Sequence, residues 1–272
     1  MKEARALYSV FGNPVTRSLS PFMHNAVFRQ CSTEALYDAR CVEDAGRIIE
    51  EMKDENIRGG SVTIPHKVAV MKYLDEVTES AGRIGAVNTI IRSGDRFIGD
   101  NTDWLGIINT LKECMEIEKK RFVILGAGGT ARAALYGITG AGGHPVIVNR
   151  TPERGEALAR DFDCDFISLS DFADLQGDCL INTTPVGMYA GRGRSPVPGQ
   201  SLGNFTMVMD VIYNPLETRL LKEARRAGCR TVTGLDLFVR QGAEQLKRWL
   251  GIDPPVDFMK EIVRERLNHE ND

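Results

Sequence analysis

Lys67 and Asp103 are the residues of this chain best suited to moving a proton. Lys67 ends the string Ser61-Val62-Thr63-Ile64-Pro65-His66-Lys67. Alternation along a strand sends Ser61 and Thr63 to one side and Val62 and Ile64 to the other, so two hydroxyls can line a crevice above a buried layer. Pro65 then starts a helix with Lys67 in its first turn, where the helix dipole disfavours a cation. Burial in a cleft acts the same way, bringing an ammonium toward the range of a general acid or base. Asp103, in Asp100-Asn101-Thr102-Asp103, is the carboxylate that would hold that side chain. Each has a plainer alternative, a surface lysine and an N-capping aspartate. Ser18 and Ser20, in Ser18-Leu19-Ser20-Pro21, put two hydroxyls at a helix N-terminus, with Ser20 as N-cap and Pro21 as the first helical residue. That arrangement suits a carboxylate, and the alternative is capping by Ser20 alone. His24 and His66 are assigned to packing or capping.

A second cluster suits a dinucleotide. Gly126-x-Gly128-x-x-Ala131 follows the apolar run Phe122-Val123-Ile124-Leu125 and opens a helical stretch. The glycines allow a tight turn and close approach to a pyrophosphate, for which the helix N-terminus supplies N–H donors. Past the next strand an NAD site would carry an acid for the ribose 2′-hydroxyl. This chain instead has Asn149-Arg150-Thr151 and then Arg154, two cations that fit a 2′-phosphate and so favour NADP. No HExxH, GxSxG or carboxylate-rich metal motif is present, so no metal is expected.

These residues need elements to position them. Strands are expected at Leu7 to Phe11, Ser61 to Ile64 and Ala86 to Ile91, with a turn at Ser93-Gly94-Asp95. Trp104, Ile108, Leu111 and Met115 mark one helical face, with Asp103 as its N-cap. From Phe122 onward the series reads βαβ, with strands at Pro145 to Val148, Cys179 to Asn182, Met207 to Tyr213 and Arg230 to Thr233. Leu235 to Leu250 and Phe258 to Leu267 read as helices able to fold back on the first domain, and Gly191 to Gly199 as a surface loop able to act as a lid.

The fold class is therefore α/β, with two α/β domains. Its 272 residues suit one large domain or two medium ones, and the element series favours two, 1–103, joined by 238–272, and 104–237. A net charge of -3 with interspersed signs disfavours nucleic acid or an anionic membrane as partner. The Met1-Lys2-Glu3-Ala4-Arg5 start shows no secretory signal, and no apolar run reaches membrane-spanning length. The six cysteines form no CxxC pair and are expected to be reduced, mostly buried thiols of a cytoplasmic protein, for which a homodimer is left open.

Taken together the strings resemble the NADP-dependent shikimate dehydrogenase family. They run in order from Ser18-Leu19-Ser20-Pro21-x-x-His24-Asn25 and Val62-Thr63-Ile64-Pro65-x-Lys67 to Gly85-Ala86-Val87-Asn88-Thr89 and Asp100-Asn101-Thr102-Asp103-x-x-Gly106. The glycine turn and Asn149-Arg150-Thr151-x-x-Arg154 follow, then Asn182-Thr183-Thr184-Pro185-x-Gly187-Met188, Tyr213-Asn214-Pro215, Gly234-Leu235 and Gln241-Gly242-Ala243. The resemblance implies an N-terminal substrate domain, a Rossmann-type doubly wound NADP domain and a cleft between them. It implies reversible reduction of 3-dehydroshikimate to shikimate, on the route to chorismate and the aromatic amino acids. Lys67 and Asp103 would be the catalytic pair. Ser18 and Ser20 would bind the substrate carboxylate, and Thr63, Asn88, Asp103 and Gln241 the ring hydroxyls, with Tyr213 close by. Gly126, Ala127, Gly128, Gly129, Thr130, Ala131, Asn149, Arg150, Thr151 and Arg154 would bind NADP, with Thr183, Val211 and Gly234 beside them. Many relatives carry Asn at Ser61, whose shorter side chain lacks the amide's donor–acceptor pair and puts that substrate contact in question. Many bacterial relatives carry Met-Leu at Leu237-Phe238. The rival readings are an NAD-using quinate/shikimate dehydrogenase, a non-catalytic dinucleotide-binding regulator, and a hydride-transfer enzyme for a different ring.

Overall fold

The computed structural model describes residues 5–188 and 191–269, so the Met1–Ala4 part of the N-terminal reading lies outside the described residues. The chain divides into two compact units, one running to Thr102 and including Val239–Val263, the other comprising Asp103–Phe238 and the segment from Arg264.

In the first unit, β1 (Ala6–Gly12), α1 (Ser20–Gln30), β2 (Ala35–Cys41), α2 (Ala45–Asp54) and β3 (Gly59–Val62) alternate. β1 pairs in parallel with both β2 and β3. Then β4 (Glu76–Val77), α3 (Glu79–Ile84), β5 (Thr89–Ser93) and β6 (Arg96–Asp100) complete a sheet in the order β2-β1-β3-β5-β6-β4. β5 runs antiparallel to β3 and β6, closed at its far end by a tight turn at Gly94-Asp95. All four residues of β3 are buried, as a strand covered on both faces must be. Phe11, Ile48, Met52, Ile57, Ile90 and Phe97 form the core on one side of the sheet. Each such side chain contributes roughly 1.5–3 kcal/mol through burial.

The second unit begins with α4 (Asp103–Lys112) and continues β7 (Arg121–Leu125), α5 (Gly129–Gly140), β8 (His144–Asn149), α6 (Pro152–Phe162), β9 (Asp165–Ser168), β10 (Gly177–Asn182), β11 (Phe205–Asp210), α7 (Arg219–Arg226) and β12 (Arg230–Val232). Its strands are all parallel, in the order β12-β11-β10-β7-β8-β9. That is the doubly wound order, whose direction of winding reverses between β7 and β10. α8 (Gly234–Leu250) and α9 (Val256–His269) follow. Among the described residues no helix is long and apolar enough to cross a membrane.

Several local expectations are corrected. Ser20 is the first residue inside α1, not its N-cap. Leu19 holds the cap position, and the Ser20 N–H donates to the Ser18 hydroxyl at 3.2 Å. Asp103 is likewise the first helical residue of α4. No α-helix starts at Pro65, because a 3-10 turn begins only at Ala69, so the dipole argument for Lys67 has no helix to act through. β3 ends at Val62, and Ile64 is 47% exposed, so it does not share Val62's buried layer. The strand expected from Ala86 starts at Thr89. The preceding backbone is held elsewhere, Val87 N–H donating to the Lys67 carbonyl and Asn88 N–H to that of Asp100. β11 stops at Asp210, which leaves Tyr213 in a loop. Only Cys179 and Cys229 of the cysteines are buried. Cys31 and Cys41 are exposed, one just past the end of α1 and the other at the end of the edge strand β2.

Candidate active site and dinucleotide site

In the second unit the turn after β7 reaches the winding reversal. Gly126 has φ +108, open to glycine but strained for other residues, and a Cβ there would come within 2.9 Å of Thr183 Oγ1. Thr183, just past β10, donates to the Leu125 carbonyl from both its N–H (3.0 Å) and its hydroxyl (2.6 Å), which ties the two strand ends together. Gly128 is different. Its backbone is extended, with φ -96 and ψ -173, and a Cβ on it would meet no heavy atom within 4 Å. Protein packing does not demand glycine there, and the exposed Gly128 leaves the α5 N-terminus open to close approach. Ala127, Gly129 and Thr130 are half-buried around this N-terminus, and Ala131 is fully buried, packing the helix on the sheet rather than facing outward.

Beyond β8, Asn149 Nδ2 donates to the Thr151 carbonyl at 2.9 Å and shapes the turn. Thr151 sits at the N-cap of α6 without a side-chain cap bond. Arg150 and Arg154 are exposed, and no acid stands at the strand end. These residues fit a dinucleotide with a phosphate on its ribose. Val211 and Tyr213 follow β11, where the Tyr213 ring stacks on Phe238 at 4.0 Å. Gly234 opens α8 so close to the Val211 carbonyl that a Cβ would overlap it.

Asp210, buried at the end of β11, accepts from Thr218 Oγ1 (2.7 Å), Asn182 Nδ2 (3.0 Å) and the Ile212 N–H (3.1 Å). Burial nevertheless pushes its carboxyl up to about 6, against these donors.

Ser18, Ser20, Thr63, Lys67, Asn88 and Gln241 all lie in the first unit. Ser18 Oγ donates to Ser20 Oγ at 3.1 Å, so the two hydroxyls are adjacent. Lys67 and Thr63 are half-buried in the turn after β3. Asn88, 2% exposed, accepts on Oδ1 from the Thr102 N–H (2.7 Å) and the Thr89 hydroxyl (2.8 Å), and donates from Nδ2 to Thr102 Oγ1 (3.0 Å) and Gln241 Oε1 (3.4 Å). This geometry brings Asn88 and Gln241 together. His66 is buried with Nε2 against the Val42 carbonyl at 2.8 Å. His24 is buried and stacked on Tyr37 at 4.3 Å, and desolvation lowers its pKa to about 4, despite backbone hydrogen bonds that raise it. Both histidines are packing residues, as their sequence context suggests.

Sequence reading missed Gln245 and Tyr37. Gln245 is 1% exposed and lies four residues after Gln241 on α8, a spacing that puts both amides on one helix face. Asp100 is also buried. Burial raises its pKa, but hydrogen bonds from Arg248 and Thr78 outweigh this, and the net shift is downward.

Two family models match the chain: the shikimate dehydrogenase substrate binding domain over residues 10–90 and the shikimate 5′-dehydrogenase C-terminal domain over 234–264. A shikimate dehydrogenase (NADP(+)) of Pyrococcus abyssi is 41% identical over 263 residues, 96% of this chain and 98% of its own. One of Bacillus cereus strain B4264 is 39% identical over 274 residues, covering 97% and 99%. The crystal structure of the Thermus thermophilus shikimate 5-dehydrogenase, in complex with NADP(H) and shikimate, superposes with a TM-score of 0.86 at 34% identity, covering 96% of this chain and 99% of that one. The two-unit α/β architecture, the glycine turn at the winding reversal and near-complete coverage at this identity agree: the chain belongs to the shikimate dehydrogenase family.

Proposed function

We propose that this chain catalyses the reversible NADPH-dependent reduction of 3-dehydroshikimate to shikimate, in the cytoplasm. The observation that carries the cofactor half is the turn after β7, where Gly128 is a glycine that no protein neighbour requires. Family membership carries the substrate half. Bound NADPH supplies the hydride. Gly126 to Thr130 hold its pyrophosphate at the α5 N-terminus, while Arg150 and Arg154 take the 2′-phosphate. Thr183, Val211 and Gly234 line the nicotinamide end. Ser18 and Ser20 bind the substrate carboxylate, and Thr63, Asn88, Gln241 and Tyr213 position the ring hydroxyls. Lys67 and Asp103 act as the acid–base groups, and Lys67 Nζ delivers the proton to the carbonyl oxygen as it is reduced. In the oxidative direction the same nitrogen receives it.

The test is absorbance at the NADPH band with purified protein, shikimate and either NADP or NAD, with quinate in parallel. NADP reduction with shikimate alone is the expected result. Comparable rates with NAD or quinate would move the chain to the dual-substrate class, and no reduction by folded, NADP-binding protein would favour a regulator. Lys67→Ala should lower kcat by about 10² or more while NADP binding stays intact. A variant within about twofold of wild type would remove Lys67 from the chemistry.

A further inference from the structure

Ser61 has its hydroxyl committed within the protein. It is 7% exposed, accepts from the Tyr37 hydroxyl at 2.5 Å and donates to Gln245 Oε1 at 2.8 Å. A serine has one proton to donate, so while the bond to Gln245 stands Ser61 cannot donate to a ligand. Gln245 passes the constraint on: its Nε2 donates to the Asn88 carbonyl and to Thr89 Oγ1, both at 3.1 Å. Thr89 in turn donates to Asn88 Oδ1, which fixes the acceptor end of the Asn88 amide and directs its NH2 toward Thr102 and Gln241. At the other end Tyr37, on β2, is held against α1. Its backbone N–H donates to Asn25 Oδ1 at 2.9 Å, and its face stacks on His24 with planes 12° apart.

We propose that Tyr37, Ser61 and Gln245 form a buried positioning array for the ring-hydroxyl end of the substrate site, with Gln245 setting the orientation of Asn88. The inference rests on the reading of Asn88 and Gln241 as substrate contacts. It reassigns Ser61 from substrate contact to positioning residue. Every member of the array is satisfied by another, so its geometry is rigid, and loss of one member leaves a buried partner unpaired and free to turn. Gln245 comes from α8, four residues past Gln241, so one helix presents an amide to the substrate and a second amide to the residue beside it.

The test uses the full chain. Wild-type activity with shikimate and NADP comes first, and its absence would refute the substrate reading on its own. Given that activity, Tyr37→Phe, Ser61→Ala and Gln245→Ala are compared for KM toward shikimate, KM toward NADP and kcat. Gln245→Ala is expected to raise the shikimate KM about tenfold, the effect of one lost buried hydrogen bond. The NADP KM should stay within about twofold, a split that general loosening of the fold would not give. Ser61→Ala combined with Gln245→Ala should cost less than the product of the two single effects, because the second loses a partner already gone. If Gln245→Ala fails to fold, Tyr37→Phe, which keeps the ring and removes one hydroxyl, carries the test. Shikimate KM within about twofold of wild type in the folded variants, or strictly multiplicative effects, would overturn the proposal.

Discussion

Gly126 and Gly128 stand two residues apart in one motif and are glycine for different reasons. Gly126 needs its positive φ and the room below Thr183, whereas Gly128 has an extended backbone and no neighbour within reach of a Cβ. Gly126→Ala should therefore lose stability, by about 1–3 kcal/mol for a forced conformation, and cofactor binding with it. Gly128→Ala should leave the urea midpoint unchanged or slightly higher, since alanine narrows the unfolded ensemble, yet weaken NADP binding at least about tenfold if the pyrophosphate lies against that turn. Denaturation and an NADP titration on the same two proteins separate the causes. An unaltered NADP affinity in Gly128→Ala would count against the turn as the pyrophosphate cradle. The motif was readable because its residues are neighbours in sequence. Gln245 was not, because its role depends on Ser61, 184 positions away, and no local pattern marks a glutamine whose partner is that distant.

At the scale of elements, the strands of the second unit other than β9 were legible in the sequence. β9, and β2, β4 and β6 in the first unit, were not. β2, ALYDARC, lies at a sheet edge, and Asp38 and Arg40 interrupt its apolar residues, so it carries no continuous apolar signal. Pro65 suggested a helix start, but the Thr63 N–H is held by the Phe11 carbonyl and the Val87 N–H by that of Lys67, so the segment is bound to its neighbours as a loop. A pH effect belongs to this scale as well, since Asp210 joins the ends of β10 and β11 to the first turn of α7 through Asn182 and Thr218. With its carboxyl raised to about 6, the native chain keeps a proton that the unfolded chain gives up near 4. The native state then binds more protons across that window, so this group's contribution to stability falls as pH rises from about 4 to about 6, by roughly 3 kcal/mol, and is constant above. Asp210→Asn has no proton to lose. Its stability plotted against pH should lack that fall, and parallel curves for the two proteins would disprove the assignment.

The first unit is not one stretch of chain, and this shapes its stability. Its segment Val239–Val263 supplies Trp249, whose indole N–H donates to the Ile90 carbonyl at 3.0 Å and whose ring lies 5.3 Å from that of Tyr8. It covers Gly59 so closely that a Cβ there would come within 2.5 Å of the Trp249 nitrogen. The same segment carries Arg248, the cation paired with Asp100, which is only 4% exposed. Without it a buried carboxylate is left unpaired, at a cost of about 3–5 kcal/mol, before the lost indole and the freed Gln245 partners are counted. A domain with roughly 5–15 kcal/mol in total does not survive such losses comfortably. Residues 1–102 expressed alone should therefore show no cooperative urea transition. The second unit carries its whole parallel sheet within Asp103–Phe238, and a fragment of those residues should unfold cooperatively and be stabilised by NADP, by about 2.7 kcal/mol at a hundredfold excess over Kd. A cooperative transition in the 1–102 fragment at the midpoint of the full chain would show that the returning segment adds binding residues without holding the fold together. Its absence, together with a folding second fragment, would show that the segment carrying Gln241 and Gln245 completes the first unit, so that residues 1–102 cannot form the proposed substrate site without it.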